Sequence, residues 1–194
     1  MDPYEIRTVD KTQSQAVIDV LTLAFGSDPL ARYVFPKPSD YLYWQPRLAG
    51  AMCDQGLDHG GVKMTAENDA AAIWLPPGVE PDREAFAQMN IPPLSSDAAA
   101  SQHFRARIRG YHPDTPHWYL WMIGVDPRLR GKGLGSALLH HTLRLCDATG
   151  QIAYLESSDP RNVPLYERHG FEVMGVVSVA DIPPITPMIR PTRG

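Results

Sequence analysis

The sequence predicts an α/β chain with strands and helices in one domain, and three stretches carry that reading. Trp118 to Val125 is a run of aromatic, aliphatic and β-branched residues bounded by Pro116 and Pro127, the composition of a buried strand. Arg130-Gly131-Lys132-Gly133-Leu134-Gly135-Ser136 follows, and Leu134, Ala137, Leu138, His141, Leu145 and Ala148 then recur at helical spacing up to Gly150. Upstream, Val62 to Ala66 and Ala70 to Leu75 flank the turn-rich Glu67-Asn68-Asp69 and read as a hairpin, closed by Pro76-Pro77-Gly78.

The remaining elements fall around these. Tyr4 to Val9 reads as a first strand, and Asp10 or Thr12 caps a helix whose Ala16, Val17, Val20, Leu21, Ala24 and Phe25 form one apolar face. Gly26-Ser27-Asp28-Pro29 ends that helix. Pro36 and Pro38 break the aromatic-rich stretch Tyr33 to Trp44, and a second helix spans Tyr43 to Gln55. Residues 79–117 are a proline-rich insertion with two helical patches, Arg83 to Met89 and Ala98 to Arg109. Arg105, Arg107 and Arg109 read as a solvated face of the second patch. After Phe171, Val173, Val176, Val177 and Val179 precede a break at Pro183-Pro184, a last strand from Ile185 to Ile189, and a frayed tail from Arg190.

Composition narrows the function. At 194 residues with 43% hydrophobic content, the chain reads as one domain over 1–194, long enough to bury a full core. A net charge of −4 argues against nucleic acid as a partner, because a surface that tracks phosphates needs a basic excess. Cys53 and Cys146 have no metal-ligand spacing and read as free thiols, so no metal is expected. No apolar run approaches the ~20 residues of a membrane helix, and Met1-Asp2-Pro3-Tyr4-Glu5 lacks the basic start of a signal peptide. These features set the expectation of a cytoplasmic protein with no membrane partner.

The glycine loop carries the chemistry. Three glycines in five positions let backbone N–H groups converge at the positive end of a helix, an anion nest suited to phosphate. A Walker loop is excluded, since Lys132 is followed by neither Ser nor Thr, and the spacing Gly131-x-Gly133-x-Gly135 departs from the dinucleotide fingerprint. Arg130-x-x-Gly133-x-Gly135 resembles the acetyl-CoA diphosphate loop of the GNAT N-acetyltransferases. Tyr154 to Ser158 and then Arg161-Asn162-Val163-Pro164-Leu165-Tyr166-Glu167-Arg168-His169-Gly170-Phe171 resemble that family's next strand and its Leu-Tyr-Glu-x-x-Gly-Phe signature. Within the family, the motifs are similar to those of puromycin N-acetyltransferase-like members.

The resemblance implies a mixed, twisted central sheet of about six or seven strands flanked by helices, with acetyl-CoA as cosubstrate. It assigns Arg130, Gly131, Lys132, Gly133, Leu134, Gly135 and Ser136 to the diphosphate, and Ile123, Gly124 and Val125 to pantetheine, with a strand-splaying bulge at Gly124. The Val125 N–H would hold the thioester oxygen. Tyr166 is the implied general acid for the departing thiolate, and Glu156 the candidate base, at the base position of the alanine acetyltransferases although two residues nearer the tyrosine. Asn162 either caps the short helix or reaches pantetheine; many relatives carry their Asn seven residues before the tyrosine, where this chain has Asp159. Tyr33, Trp118 and Trp121 are candidate contacts to the acceptor. The expected reaction is direct transfer of acetyl to a primary amine of a small, antibiotic-like or xenobiotic molecule by a monomer or homodimer. The rivals are acetylation of a protein N-terminus or lysine, and a non-catalytic CoA sensor.

Overall fold

A computed structural model describes residues 4–192; the expectations for Met1 to Pro3 and for the last two residues of the tail lie outside the described residues. The chain runs β1 (Ile6–Thr8), α1 (Ser14–Ala24), α2 (Pro29–Val34), α3 (Pro38–Asp58), β2 (Val62–Thr65), β3 (Ala70–Leu75), α4 (Arg83–Gln88) and α5 (Ala98–Arg109). It continues β4 (Trp118–Val125), α6 (Leu134–Thr149), β5 (Ala153–Ser157), α7 (Val163–Arg168), β6 (Glu172–Val173), β7 (Val177–Val179) and β8 (Ile182–Arg190). The strands form one eight-stranded sheet ordered β1-β2-β3-β4-β5-β8-β6, with β7 also paired to β8. β4 and β5 are parallel and the other pairs antiparallel, so the sheet is mixed.

Helices cover both faces. Trp118 and Leu120 of β4 pack with α6, as do Ile123 and Val125, whereas Met122 faces α1 and α3. The parity change follows from a bulge: Ile73 pairs with Met122 but Trp74 pairs with Leu120, leaving Trp121 as the extra residue. The bulge is therefore at Trp121, and Gly124 pairs regularly with Ala71. Gly124 answers a different need. A Cβ there would lie 2.5 Å from Ala24 Cβ and 3.0 Å from Leu21 Cδ2, so its absence lets α1 sit directly on the strand.

The tail expected to fray from Arg190 instead keeps Arg190 as the buried last residue of β8, and three further boundaries depart from the sequence reading at prolines. Asp28-Pro29 opens α2 instead of only closing α1: the Asp28 carboxylate accepts the Ala31 N–H at 2.9 Å and Pro29 occupies the first helical position. Pro38 likewise starts α3 five residues before the expected Tyr43. The last strand begins at Ile182 and carries Pro183-Pro184 within it, opposite the register irregularity between Val177 and Val179, where no regular ladder bond is lost. The final strand count is eight because Glu172–Val173 and Val177–Val179 pair separately with β8.

Candidate active site

β4 and β5 pair only from Trp118–Ala153 to Leu120–Leu155, and then diverge. The Asp126 N–H donates to Asp69 O in the β3 direction, so by strand alternation the main-chain groups of Val125 and Ile123 face the side that β5 has left. Into this opening lead two matching turns. Asp126-Pro127-Arg128 after β4 and Asp159-Pro160-Arg161 after β5 each begin a 3-10 turn whose aspartate accepts from the arginine N–H and pairs with its guanidinium, at 2.8 and 2.6 Å. The hydrogen bonds from each arginine hold both carboxyls below the usual carboxylate range. The same Asp-Pro-Arg triplet marks both turns in the sequence.

The opening is the mouth of a cavity of about 800 Å³. At the glycine loop it is lined by Arg130, Gly131, Gly133, Leu134, Gly135 and Ser136. Gly131 and Gly133 have φ of 79° and 91°, which turn successive amides toward the N-terminus of α6, and Gly133 is its N-cap with no capping side chain. That arrangement fits an anionic group. Arg130 also lines the cavity, and its Nη2 donates to Ala24 O at 2.7 Å, tying the loop to the end of α1. Lys132 does not line it; the residue is exposed between the two glycines, and its carbonyl accepts the Tyr4 hydroxyl at 2.6 Å.

Along the cavity lie Ile123, Gly124, Val125 and Tyr166, with Asn162 at the rim. Tyr166 is buried against Phe171, ring centroids 6.1 Å apart, and burial raises its hydroxyl pKa, with Asp28 and Asp159 adding to the rise. Asp28 is itself a buried carboxyl on the cavity wall, accepting the Ser158 hydroxyl at 2.5 Å, and burial raises its pKa. Asn162 stands at the N-cap position of α7 yet makes no side-chain cap bond, so the capping alternative for it is not realised.

Glu156 lines the cavity opposite this wall. Its Oε2 accepts the Tyr119 hydroxyl at 3.0 Å and its Oε1 the Tyr154 hydroxyl at 3.1 Å, while His112 Nε2 lies 3.5 Å from Oε1. Burial raises the Glu156 pKa against these hydrogen bonds, which pull it down. Burial also drops His112 to about 4, so at neutral pH the close His112–Glu156 approach is a contact of a neutral imidazole and not an ion pair. Tyr119, Tyr154 and His112 were not singled out from sequence as partners of Glu156; the strand register sets Tyr119 beside Tyr154, and His112, from the segment before β4, packs on both rings.

Of the acceptor candidates, Trp121 alone lines the cavity, its ring edge-on to Phe86 at 5.3 Å. Tyr33 packs instead beside Phe104, Val177, Ile182 and Ile185, and Trp118 lies on the α6 face, donating to Gln151 Oε1 at 2.9 Å. Neither reaches the cavity wall, where α2 contributes Leu30, Ala31 and Val34 and β4 contributes Tyr119 to Val125. Ile91, Pro92, Leu94 and Arg105 of the 79–117 segment also line it. Among the described residues, no group of three or more His, Cys, Asp or Glu side chains is arranged to hold a metal ion, and no helix is long and apolar enough to cross a membrane.

A parallel strand pair parted at a helix N-terminal glycine loop is the architecture of a CoA-thioester-binding α/β domain. The family model for the acetyltransferase (GNAT) family matches residues 74–171, and the chain belongs to that family. An uncharacterized N-acetyltransferase of Schizosaccharomyces pombe is 41% identical over 58 residues, 30% of this chain and 24% of that protein. A mycothiol acetyltransferase of Propionibacterium freudenreichii is 28% identical over 159 residues, 75% of this chain and 50% of that protein. The chain thus spans half or less of the length of these curated relatives. Among solved structures, a protein described as histone acetyltransferase HPA2 and related acetyltransferase, from Corynebacterium glutamicum, has a TM-score of 0.68 at 23% identity, covering 98% of this chain and 97% of the other. Arylalkylamine N-acetyltransferase 2 from Aedes aegypti has a TM-score of 0.68 at 17% identity, covering 99% and 100%. These likenesses show the shared fold.

Proposed function

We propose that this chain transfers acetyl from acetyl-CoA to a primary amine of a small molecule by direct attack. One observation carries the reading: a single cavity joins the glycine-loop amides, the parted strands, Tyr166 and Glu156. Acetyl-CoA, when bound, supplies an activated thioester. The amides of 131 and 133–135, with Ser136, bind its diphosphate, and the edge of β4 at Ile123 and Val125 orients pantetheine by main-chain hydrogen bonds. The Val125 N–H stabilises negative charge on the acyl oxygen. Tyr166 gives its proton to the leaving sulfur, and Glu156 accepts the one that the amine sheds. Both cysteines are buried away from this wall, so no acyl-cysteine is invoked.

Phe25, Leu30, Phe35, Met52 and Trp121 on the cavity wall favour an acceptor with an apolar or aromatic body, of the antibiotic-like or xenobiotic kind. The mycothiol acetyltransferases among the relatives also support a small-molecule acceptor over a protein. The test is thiol release from acetyl-CoA against a panel of aralkylamines, aminonucleosides, polyamines and N-terminal peptides. Tyr166→Phe is expected to cut kcat by about 10²–10⁴-fold while CoA affinity by calorimetry holds. A wild-type protein that binds CoA and acetylates no amine would instead be a sensor.

A further inference from the structure

The base in this site is enclosed. Once the acceptor and the thioester fill the cavity, water is excluded from the front of Glu156, and a proton taken there needs a way out. Behind the carboxylate, Tyr119 and Tyr154 already donate to it, and burial pushes both hydroxyls far above their ordinary pKa, so neither is a proton acceptor at neutral pH. The remaining polar neighbour is His112 Nε2, 3.5 Å from Oε1. His112 comes from the segment between α5 and β4, and its side chain is 24% exposed, against 18% for Glu156, so the ring that contacts the carboxylate also meets solvent. Edge and tilted contacts to Tyr119 at 4.9 Å, Tyr154 at 4.5 Å and His117 at 5.4 Å between ring centroids fix its plane.

We propose that His112 is the proton exit of the site, a positioning and relay residue that takes the amine's proton from Glu156 and delivers it to water. The inference rests on the acetyl-transfer reading. As the C–N bond forms and the C–S bond breaks, Glu156 accepts the proton from the amine nitrogen and Tyr166 protonates the sulfur. Glu156 then passes its proton to His112 Nε2, Nδ1 releases one to solvent, and exchange with water restores the original tautomer, while Tyr166 regains its proton from water. Burial raises Glu156 and lowers His112, so a proton that reaches the imidazole is held only weakly and passes on to water. The charged and titratable groups around the pair are His117, Glu80 and Arg83 about His112, and Tyr119 and Tyr154 about Glu156, with Tyr111 beside Tyr154. The neighbouring His117 is oriented otherwise, its Nδ1 against Thr115 O at 2.8 Å.

The experiment compares wild type, His112→Gln, His112→Ala and Glu156→Gln with the best amine of the panel, across pH and with added imidazole. His112→Ala is expected to lower kcat by about 10–100-fold with the KM for acetyl-CoA unchanged, and imidazole should restore it, but not Glu156→Gln. Nitrogen NMR of the His112 ring should also shift when Glu156 becomes Gln. Full kcat in His112→Gln, loss without imidazole rescue, or a ring signal indifferent to Glu156→Gln overturns the relay alone. A wild type that turns over no amine overturns the transfer reading and the relay with it.

Discussion

Glu156 combines burial with two hydroxyl donors, and the balance sets a pH dependence. A base must be deprotonated to act, so its contribution is present above its pKa and is lost as pH falls through it. Because burial raises that pKa, the acid limb of kcat/KM is expected above the ~4.3 of a free glutamate. Glu156→Gln should abolish this limb; an unchanged limb would assign the base elsewhere. Cys53 and Cys146 make the opposite case. Burial pushes both thiols up to about 12, so native protein should show no fast reaction with a disulfide reagent and two thiols after denaturation. Fast native labelling would contradict the buried placement. At this scale the short contiguous motifs pointed to Tyr166 and Glu156, and both side chains line the same cavity. His112 was not legible, since 44 residues separate it from Glu156 and no local spacing marks the pair. Tyr33 was chosen for its aromatic ring, yet helix geometry turned its neighbours Leu30, Ala31 and Val34 to the cavity.

Among the elements, β4 decides most. Its extra residue at Trp121 follows directly on Leu120, the last β4 residue paired with β5, so bulge and parting of strands coincide. Downstream of it, Gly124 holds α1 close. Gly124→Ala places a methyl 2.5 Å from Ala24 Cβ and is expected to cost about 1–3 kcal/mol, read as a lower Tm. A wild-type Tm would mean that α1 can move away freely. The strands β3 and β4 were legible to the residue, because their apolar runs end at breakers. The bulge was not, because Trp-Met-Ile-Gly-Val carries no polar residue whose face would betray the change of parity. The starts of α2 and α3 were misread for one shared reason: Asp28-Pro29 and Lys37-Pro38 look like stops, whereas proline in the first helical turn is a start.

For the molecule as a whole, the sheet is a scaffold that parts two parallel strands over a helix N-terminus, while residues of α1–α3 and of the 79–117 segment line the cavity beside them. Arg190 closes the far edge: buried at 2% exposure, it pairs with Asp147 of α6 at 2.7 Å and donates to His169 O at 2.9 Å, tying β8 to α6 and to the end of α7. Central to the proposed function is binding of CoA by the glycine loop. The most direct test is calorimetric titration of CoA into wild type and into a Gly131→Ala, Gly133→Ala double variant. At each site φ is positive, and alanine there strains the loop by about 1–3 kcal/mol without blocking the cavity with bulk. The expected result is one CoA per chain in wild type and an affinity weaker by about tenfold or more in the variant, with the melting curve showing both folded. No binding by wild type at millimolar CoA, or equal binding by both proteins, would contradict the account.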